Sequence, residues 1–313
     1  MRTPDDAPDD RAPRSPEALV ARLLQLLNIE EIDINLYRGA RRARGQGRVF
    51  GGQVIAQGLT AAMRSVETEA AAHSLHAYFM RAGDESLPII YRVERDFDGR
   101  SFATRRVIAL QRGQPILNMA ASFHRTEPGF EHQAEMPAAP EPESLLSEAE
   151  LSQREREKGD LSPRAETVLS RVRPIEVRPV EPRSLLHPTP HEPRSMIWFR
   201  AAAPIGDDPD VHRAVLAYAS DMGLLGASML PHGVSFLTHG MQAASLDHAL
   251  WLHADFRVDD WLLYVMESPW AAQARGFNRG QIFNRKGKLV ASVAQEGLVR
   301  MRRAERPSLA ADN

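Results

Sequence analysis

Phe50, Val54, Leu59, Met63 and Val66 recur every three to five residues, the stripe of an amphipathic helix, with Gly51-Gly52 at its start. Four β-prone apolar runs follow: Leu75–Met80, Ile89–Val93, Phe102–Leu110 and Ile116–Phe123. Asp98-Gly99 and Arg112-Gly113 fall between runs, where hairpin turns belong. The same order returns later in the chain. Asp208 followed by Pro209 supplies an N-cap and a first helical residue. Val211, Ala214, Val215, Tyr218 and Met222 form the apolar stripe of that second helix, and Gly223 is placed to stop it. Strands are expected near Leu246–His253, Trp261–Glu267, Gly276–Phe283 and Lys288–Leu298, with a turn at Lys286-Gly287.

The two patterns superimpose with a nearly constant shift. Tyr91 and Glu94 match Tyr264 and Glu267 at an offset of 173. Arg100-Ser101-Phe102 matches Arg275-Gly276-Phe277 at 175, and Gly113 matches Gly287 at 174. This is the trace of a duplicated unit with small length changes. Between the copies lies a polar stretch with Pro137, Pro140 and Pro142 and the charged run Arg154-Glu155-Arg156-Glu157-Lys158, read as a linker with a surface helix from about Glu143 to Arg154. The expected organisation is an N-terminal tail and lead-in over 1–29, with 1–15 a loose tail. A first half spans 30–125, a linker 126–175, a second half 176–302 and a C-terminal tail 303–313. One long helix with several strands per half predicts an α+β fold, an antiparallel sheet packed on a helix.

Composition narrows the chemistry. The 313 residues include no cysteine, which removes disulfides, Cys-ligated zinc and a thiol nucleophile. A net charge of -2 provides no field for nucleic acid or an anionic membrane. The first residues lack the apolar core of a signal peptide, and no apolar run of membrane-spanning length is evident, so a cytoplasmic location is expected. There is no G-x-S-x-G, no Walker A sequence and no H-E-x-x-H. His248 and His253 differ by an odd number and would face opposite sides of a strand, which argues against a metal pair beside Asp247. Gly45-Gln46-Gly47-Arg48-Val49-Phe50-Gly51-Gly52 lacks the dinucleotide-binding spacing. It reads as a bulged strand end and a close helix–sheet approach, whose helix N-terminus could host an anion or a polarised carbonyl.

Asp221 stands out. It closes Ala217-Tyr218-Ala219-Ser220-Asp221 at the C-terminal end of the second helix, where the dipole disfavours a carboxylate. Burial there would raise its proton affinity and improve it as a general base, whereas a solvent-facing turn residue is the plainer alternative. Ser245 and Gln295 could each hydrogen-bond a water, yet on their own both are ordinary strand residues.

Several ordered segments resemble the acyl-CoA thioesterase II family, the double-hotdog thioesterases, over about residues 30–302. In the first half these are Arg48-Val49-Phe50-Gly51-Gly52-Gln53-Val54, His73-Ser74-Leu75-His76-Ala77-Tyr78-Phe79 and Pro88-Ile89-Ile90-Tyr91. In the second they are Tyr218-Ala219-Ser220-Asp221, Pro231-His232-Gly233, Asp247-His248-Ala249-Leu250-Trp251, Ala274-Arg275-Gly276-Phe277 and Val293-Ala294-Gln295-Glu296-Gly297. The resemblance implies two fused hotdog units, each an antiparallel sheet wrapped around one long helix. It implies hydrolysis of acyl-CoA to fatty acid and CoA, with Asp221, Ser245 and Gln295 as the Asp, hydroxyl and amide of the family's catalytic set. It implies direct attack by water without an acyl-enzyme, no cofactor beyond the CoA of the substrate itself, no metal, and a homo-oligomer. Two other readings compete. A hotdog enoyl-CoA hydratase or dehydratase needs an Asp-His pair, and the next histidine after Asp221 is His232, beyond the helix. A non-catalytic acyl-CoA-binding module would not need the three residues.

Overall fold

In the computed structural model, residues 15–41, 47–67 and 69–302 are described. The expected tails therefore fall outside the description, apart from Ser15, as do Gly45 and Gln46 of the glycine-rich stretch. Ser15 is no tail residue. Its side chain accepts from Ala18 N and caps α1 (Pro16–Leu27), with Pro16 at the first helical position and Val20, Leu23 and Leu27 buried.

The first half continues with the hairpin β1 (Glu30–Asp33) and β2 (Leu36–Gly39), then α2 (Gly51–Arg64). It closes with β3 (Ala71–Phe79), β4 (Ile89–Asp98), β5 (Phe102–Gln111) and β6 (Gln114–His124). A 3₁₀ turn (Pro142–Ser144), α3 (Glu148–Glu157) and α4 (Pro163–Leu169) lie between the halves. The surface helix thus begins later than expected, because Ser147 and Glu150 form a capping box that fixes its start. The second half has the hairpin β7 (Ile175–Pro179) and β8 (Arg194–Ala201), then α5 (Pro209–Ser220) and a 3₁₀ segment (Leu224–His232). β9 (Met241–Ser245), β10 (Asp247–Leu252), β11 (Leu262–Ala272), β12 (Arg275–Asn284) and β13 (Leu289–Met301) complete it.

All strands join one antiparallel sheet in the order β1-β2-β4-β5-β6-β3-β10-β13-β12-β11-β8-β7, with β9 also on β13. Read outward from the central β3–β10 pair, the order is the same on both sides, with β3, β6, β5, β4, β2, β1 answered by β10, β13, β12, β11, β8, β7. The duplication inferred from the offset is therefore written in the topology. Gly113 and Gly287 occupy matching hairpin turns, both at positive φ (73° and 78°). Neither β1–β2 nor β7–β8 is among the expected strands; β1, β2 and β7 are only four, four and five residues long.

α2 and α5 pack against each other and α2 lies on the sheet, with the N-terminus of α2 meeting the C-terminus of α5 at Gly52 and Asp221. Both are buried on nearly every side rather than along a stripe, because α1, the partner helix and the sheet surround them. The stretch Pro209–His232 is apolar and long enough to cross a bilayer by composition, but most of it is buried within the fold, and Gly223 breaks it in a left-handed conformation (φ 81°).

Candidate active site

α5 ends where the sequence indicated. Asp208 caps its N-terminus through Asp210 N, and Asp221 is the C-cap. The expected strand Leu246–His253 is β10, and a separate strand, β9, precedes it because the chain slips register at Leu246. Ser245 pairs with Gly297 in β9, whereas Ala249 pairs with Ala294 in β10. This one-residue bulge lets β10 insert between β13 and β3, and Leu246 O accepts from Phe79 N of the first half. Ser245, at the lip of the bulge, shares a face of the sheet with Gln295 through the Gly297 pair. Asp247 Oδ1 takes the Glu296 amide at 2.6 Å, which locks β13 beside Gln295.

The structure brings Asp221, Ser245 and Gln295 together. Gln295 Nε2 donates to Asp221 Oδ1 at 2.6 Å, and Ser245 Oγ lies 3.4 Å from the same oxygen. Gln295 Nε2 is also 3.1 Å from Ser245 Oγ. The other carboxylate oxygen, Oδ2, accepts the backbone N–H of Gly52 at 2.9 Å. The anion at the N-terminus of α2 is thus the second half's own carboxylate, and this N–H is committed to it rather than to a reacting carbonyl. The close approach at Gly51-Gly52 is chiefly between helices. A Cβ on Gly52 would lie 2.4 Å from Tyr218 O, and one on Gly51 2.8 Å from Asp221 Oδ2 and 2.9 Å from the Phe79 ring.

Burial of the Asp221 side chain pushes its pKa from 3.8 up to about 6, against the hydrogen bonds from Gln295, Gly52 and Ser245 that favour the ionised form. His248, one residue beyond Asp247 and argued against as a metal ligand on sequence grounds, lies behind this group as a hydrogen-bonding residue. Its Nδ1 is 3.2 Å from Gln295 Nε2 and 4.0 Å from Asp221 Oδ1. Its Nε2 is 2.9 Å from Ser220 Oγ, which donates in turn to Ala217 O. Burial drives the imidazole pKa down to about 3. It is therefore neutral, with the proton on Nε2 donated to Ser220 and Nδ1 accepting from Gln295. Tyr264 OH fixes the same turn by donating to Ser220 O at 2.9 Å. The alternation His248, Leu250, Leu252 was the available clue that this histidine faces inward with Gln295. Gln295 Oε1 is buried with no protein partner among the described residues, and so can accept from a water or a substrate group. No group of three or more potential metal ligands clusters among the described residues.

Two family profiles match the chain, "Acyl-CoA thioesterase" over residues 166–298 and "Acyl-CoA thioesterase N-terminal domain" over 40–124. Human acyl-coenzyme A thioesterase 8 is 42% identical over 283 residues, covering 88% of each chain. The chain belongs to the acyl-CoA thioesterase II family. Acyl-CoA thioesterase 2 of Haemophilus influenzae is 37% identical across 89% of this chain and 96% of that one. The crystal structure of an acyl-CoA thioesterase II from Mycobacterium marinum superposes with a TM-score of 0.70 at 41% identity, over 89% of this chain and 98% of that one. The double-hotdog architecture of the family is the one seen here, two helices wrapped by a continuous antiparallel sheet.

The duplicated corner is built differently. The C-cap of α2 is Ser65, where α5 has Asp221. At offsets of 173 and 174, Asn278 and Gln295 fall on Arg105 and Ala121, and each is a cross-strand pair. Arg105, buried to 1% exposure, fills this corner. It donates to Ser65 Oγ at 2.9 Å, Ser65 O at 3.2 Å, Phe97 O at 3.0 Å and Asp98 Oδ1 at 2.5 Å. One end of the helix pair carries an acid, and the other is plugged by a cation.

Proposed function

We propose that Asp221 is the general base of a thioester hydrolysis in which Ser245 and Gln295 orient the attacking water. The chain is a thioester hydrolase by family, and its substrate is an acyl-CoA. The observation that carries the mechanism is the convergence of a hydroxyl and an amide on one oxygen of a buried carboxylate whose pKa is raised to about 6. Asp221 takes a proton from the water as its oxygen attacks the carbonyl carbon. The tetrahedral intermediate collapses by breaking the C–S bond and releases CoA thiolate and a carboxylic acid. A thiolate leaves readily, so no strong acid is needed opposite the base. Ser245 has no imidazole as a base in its hydrogen-bond set, which favours water over the serine as nucleophile.

The 4.0 Å approach of His248 to Asp221 reopens the hydratase reading, because an Asp-His pair is present after all. Against it, both ring nitrogens are already engaged by Ser220 and Gln295, and the buried ring stays neutral. His248 is thus a positioning residue for Gln295. The test is free-thiol release from a panel of acyl-CoA thioesters. Asp221→Asn is expected to lower kcat by about 10²–10⁴-fold with the fold intact by circular dichroism. Wild-type turnover rates in that variant would remove Asp221 from the chemistry.

A further inference from the structure

We propose that a cleft along the free edge of β9 holds the phosphates at the nucleotide end of the CoA substrate, with Arg48, Arg164 and Arg300 as the anion-binding groups. This rests on the hydrolase reading of the adjoining site. The cleft measures about 330 Å³ and lies against β9, which pairs with β13 alone. Its three guanidinium groups come from separate parts of the chain, ahead of α2, from α4 and from the end of β13. Many surface arginines elsewhere are matched with acids, as in Arg38 with Glu30, Arg95 with Glu67 and Arg285 with Glu141 and Glu143. Among the described residues none of the three in the cleft has a carboxylate partner, and no acid lines it. Their side-chain contacts are neutral. Arg164 Nη2 donates to Phe236 O at 2.7 Å, and Arg300 Nε to Gln242 Oε1 at 2.8 Å. Three like charges converging on one cleft repel one another unless an anion joins them, and a cleft of a single sign concentrates such a ligand. Guanidinium forks suit phosphate oxygens in particular.

The location fits the remaining parts of the substrate. The cleft reaches Ala244, next to Ser245, and extends from there along β9 to Met241. Arg300 stands five residues beyond Gln295 on β13, roughly 16 Å along an extended strand. Arg48 is three residues ahead of Gly51, whose neighbour Gly52 holds Asp221. The odd spacing puts Arg300 on the face of β13 opposite Gln295, so the route back to the carboxylate runs round the free edge of β9 past Ala244 and along the Arg48 segment. Phe236, 38% exposed and lining the cleft, offers a ring face on which a purine can stack.

The test compares one acyl group carried by CoA and by pantetheine, which lacks the nucleotide. In Arg48→Ala/Arg300→Ala the ratio of kcat/KM for the CoA ester to that for the pantetheine ester is expected to fall about a hundredfold, through KM, at about tenfold per guanidinium. Calorimetry with 3′,5′-ADP supplies a readout independent of turnover, with binding to the wild type that weakens in parallel in the double variant. An unchanged ratio in a folded double variant overturns the proposal, as does 3′,5′-ADP binding that ignores the arginines. If the wild type releases no thiol yet binds 3′,5′-ADP in an arginine-dependent way, the hydrolase reading fails and the cleft assignment stands.

Discussion

Asp221 is caught between burial, which favours its acid form, and three hydrogen bonds, which favour its base form. Burial wins, and two consequences follow at this one residue. If Asp221 must be ionised to take the proton, kcat/KM should climb about tenfold per pH unit below about 6 and level off above it. A flat profile down to pH 4.5 would contradict the assignment. The second consequence concerns stability. The folded pKa lies above the ordinary 3.8, so the stability this group contributes is complete below 3.8 and is lost as pH rises through about 6. The deficit at neutral pH is on the order of 3 kcal/mol. Asp221→Asn cannot ionise and is expected to resist urea better than the wild type at pH 7, with the advantage shrinking toward pH 4. A less stable variant at pH 7 would mean that the hydrogen bonds outweigh burial.

At the scale of elements, the Leu246 bulge, the glycine start of α2 and Arg105 decide what each corner of the helix pair can do. Arg105 satisfies a buried helix end and is tied to Asp98. Arg105→Ala leaves the Ser65 and Phe97 groups without their donor and is expected to cost about 3–5 kcal/mol in denaturant unfolding. Thiol release by the protein that remains folded should persist, because this corner is remote from Asp221. A loss below 1 kcal/mol would show that water replaces the guanidinium. These elements were unequally legible in the sequence. Asp208-Pro209 and the stripe Val211–Met222 announce α5 because capping and 3.6-residue periodicity are local properties. Ser15-Pro16 with Val20, Leu23 and Leu27 announces α1 just as clearly, and was obscured by the polar residues before it. The Gly52–Asp221 bond joins residues 169 apart, and nothing local to either residue encodes it. On residues alone Ser245 and Gln295 were ordinary strand positions. The family resemblance singled them out, and the bulge and the Gly297 pair explain why they converge.

Over the whole molecule, the segment after β6 belongs in its contacts to the second half. Gln133 bonds Gly287 O and Leu289 N, Trp198 Nε1 donates to Pro140 O, and Arg285 bridges Glu141 and Glu143. Met136, Ala139 and Leu145 pack on a small core formed by Trp198, Trp261, Leu263, Val265 and Phe283. A chain divided after Glu127 would leave each piece with its own strands, and the C-terminal piece with the connecting segment that packs on it. Neither piece alone should release thiol, since Asp221 and the Gly52 amide that holds it would be parted, whereas mixing the two should restore turnover. Turnover by the C-terminal piece alone would show that the Gly52 contact is dispensable.

The mismatch between Asp221 and Ser65 has an evolutionary meaning. Had the two halves remained products of one gene that pair as identical subunits, every substitution would have appeared at both ends of the helix pair at once. Covalent fusion frees each copy from its twin, so one corner can hold a costly acid for chemistry while the other has a serine there and a buried arginine that serves stability.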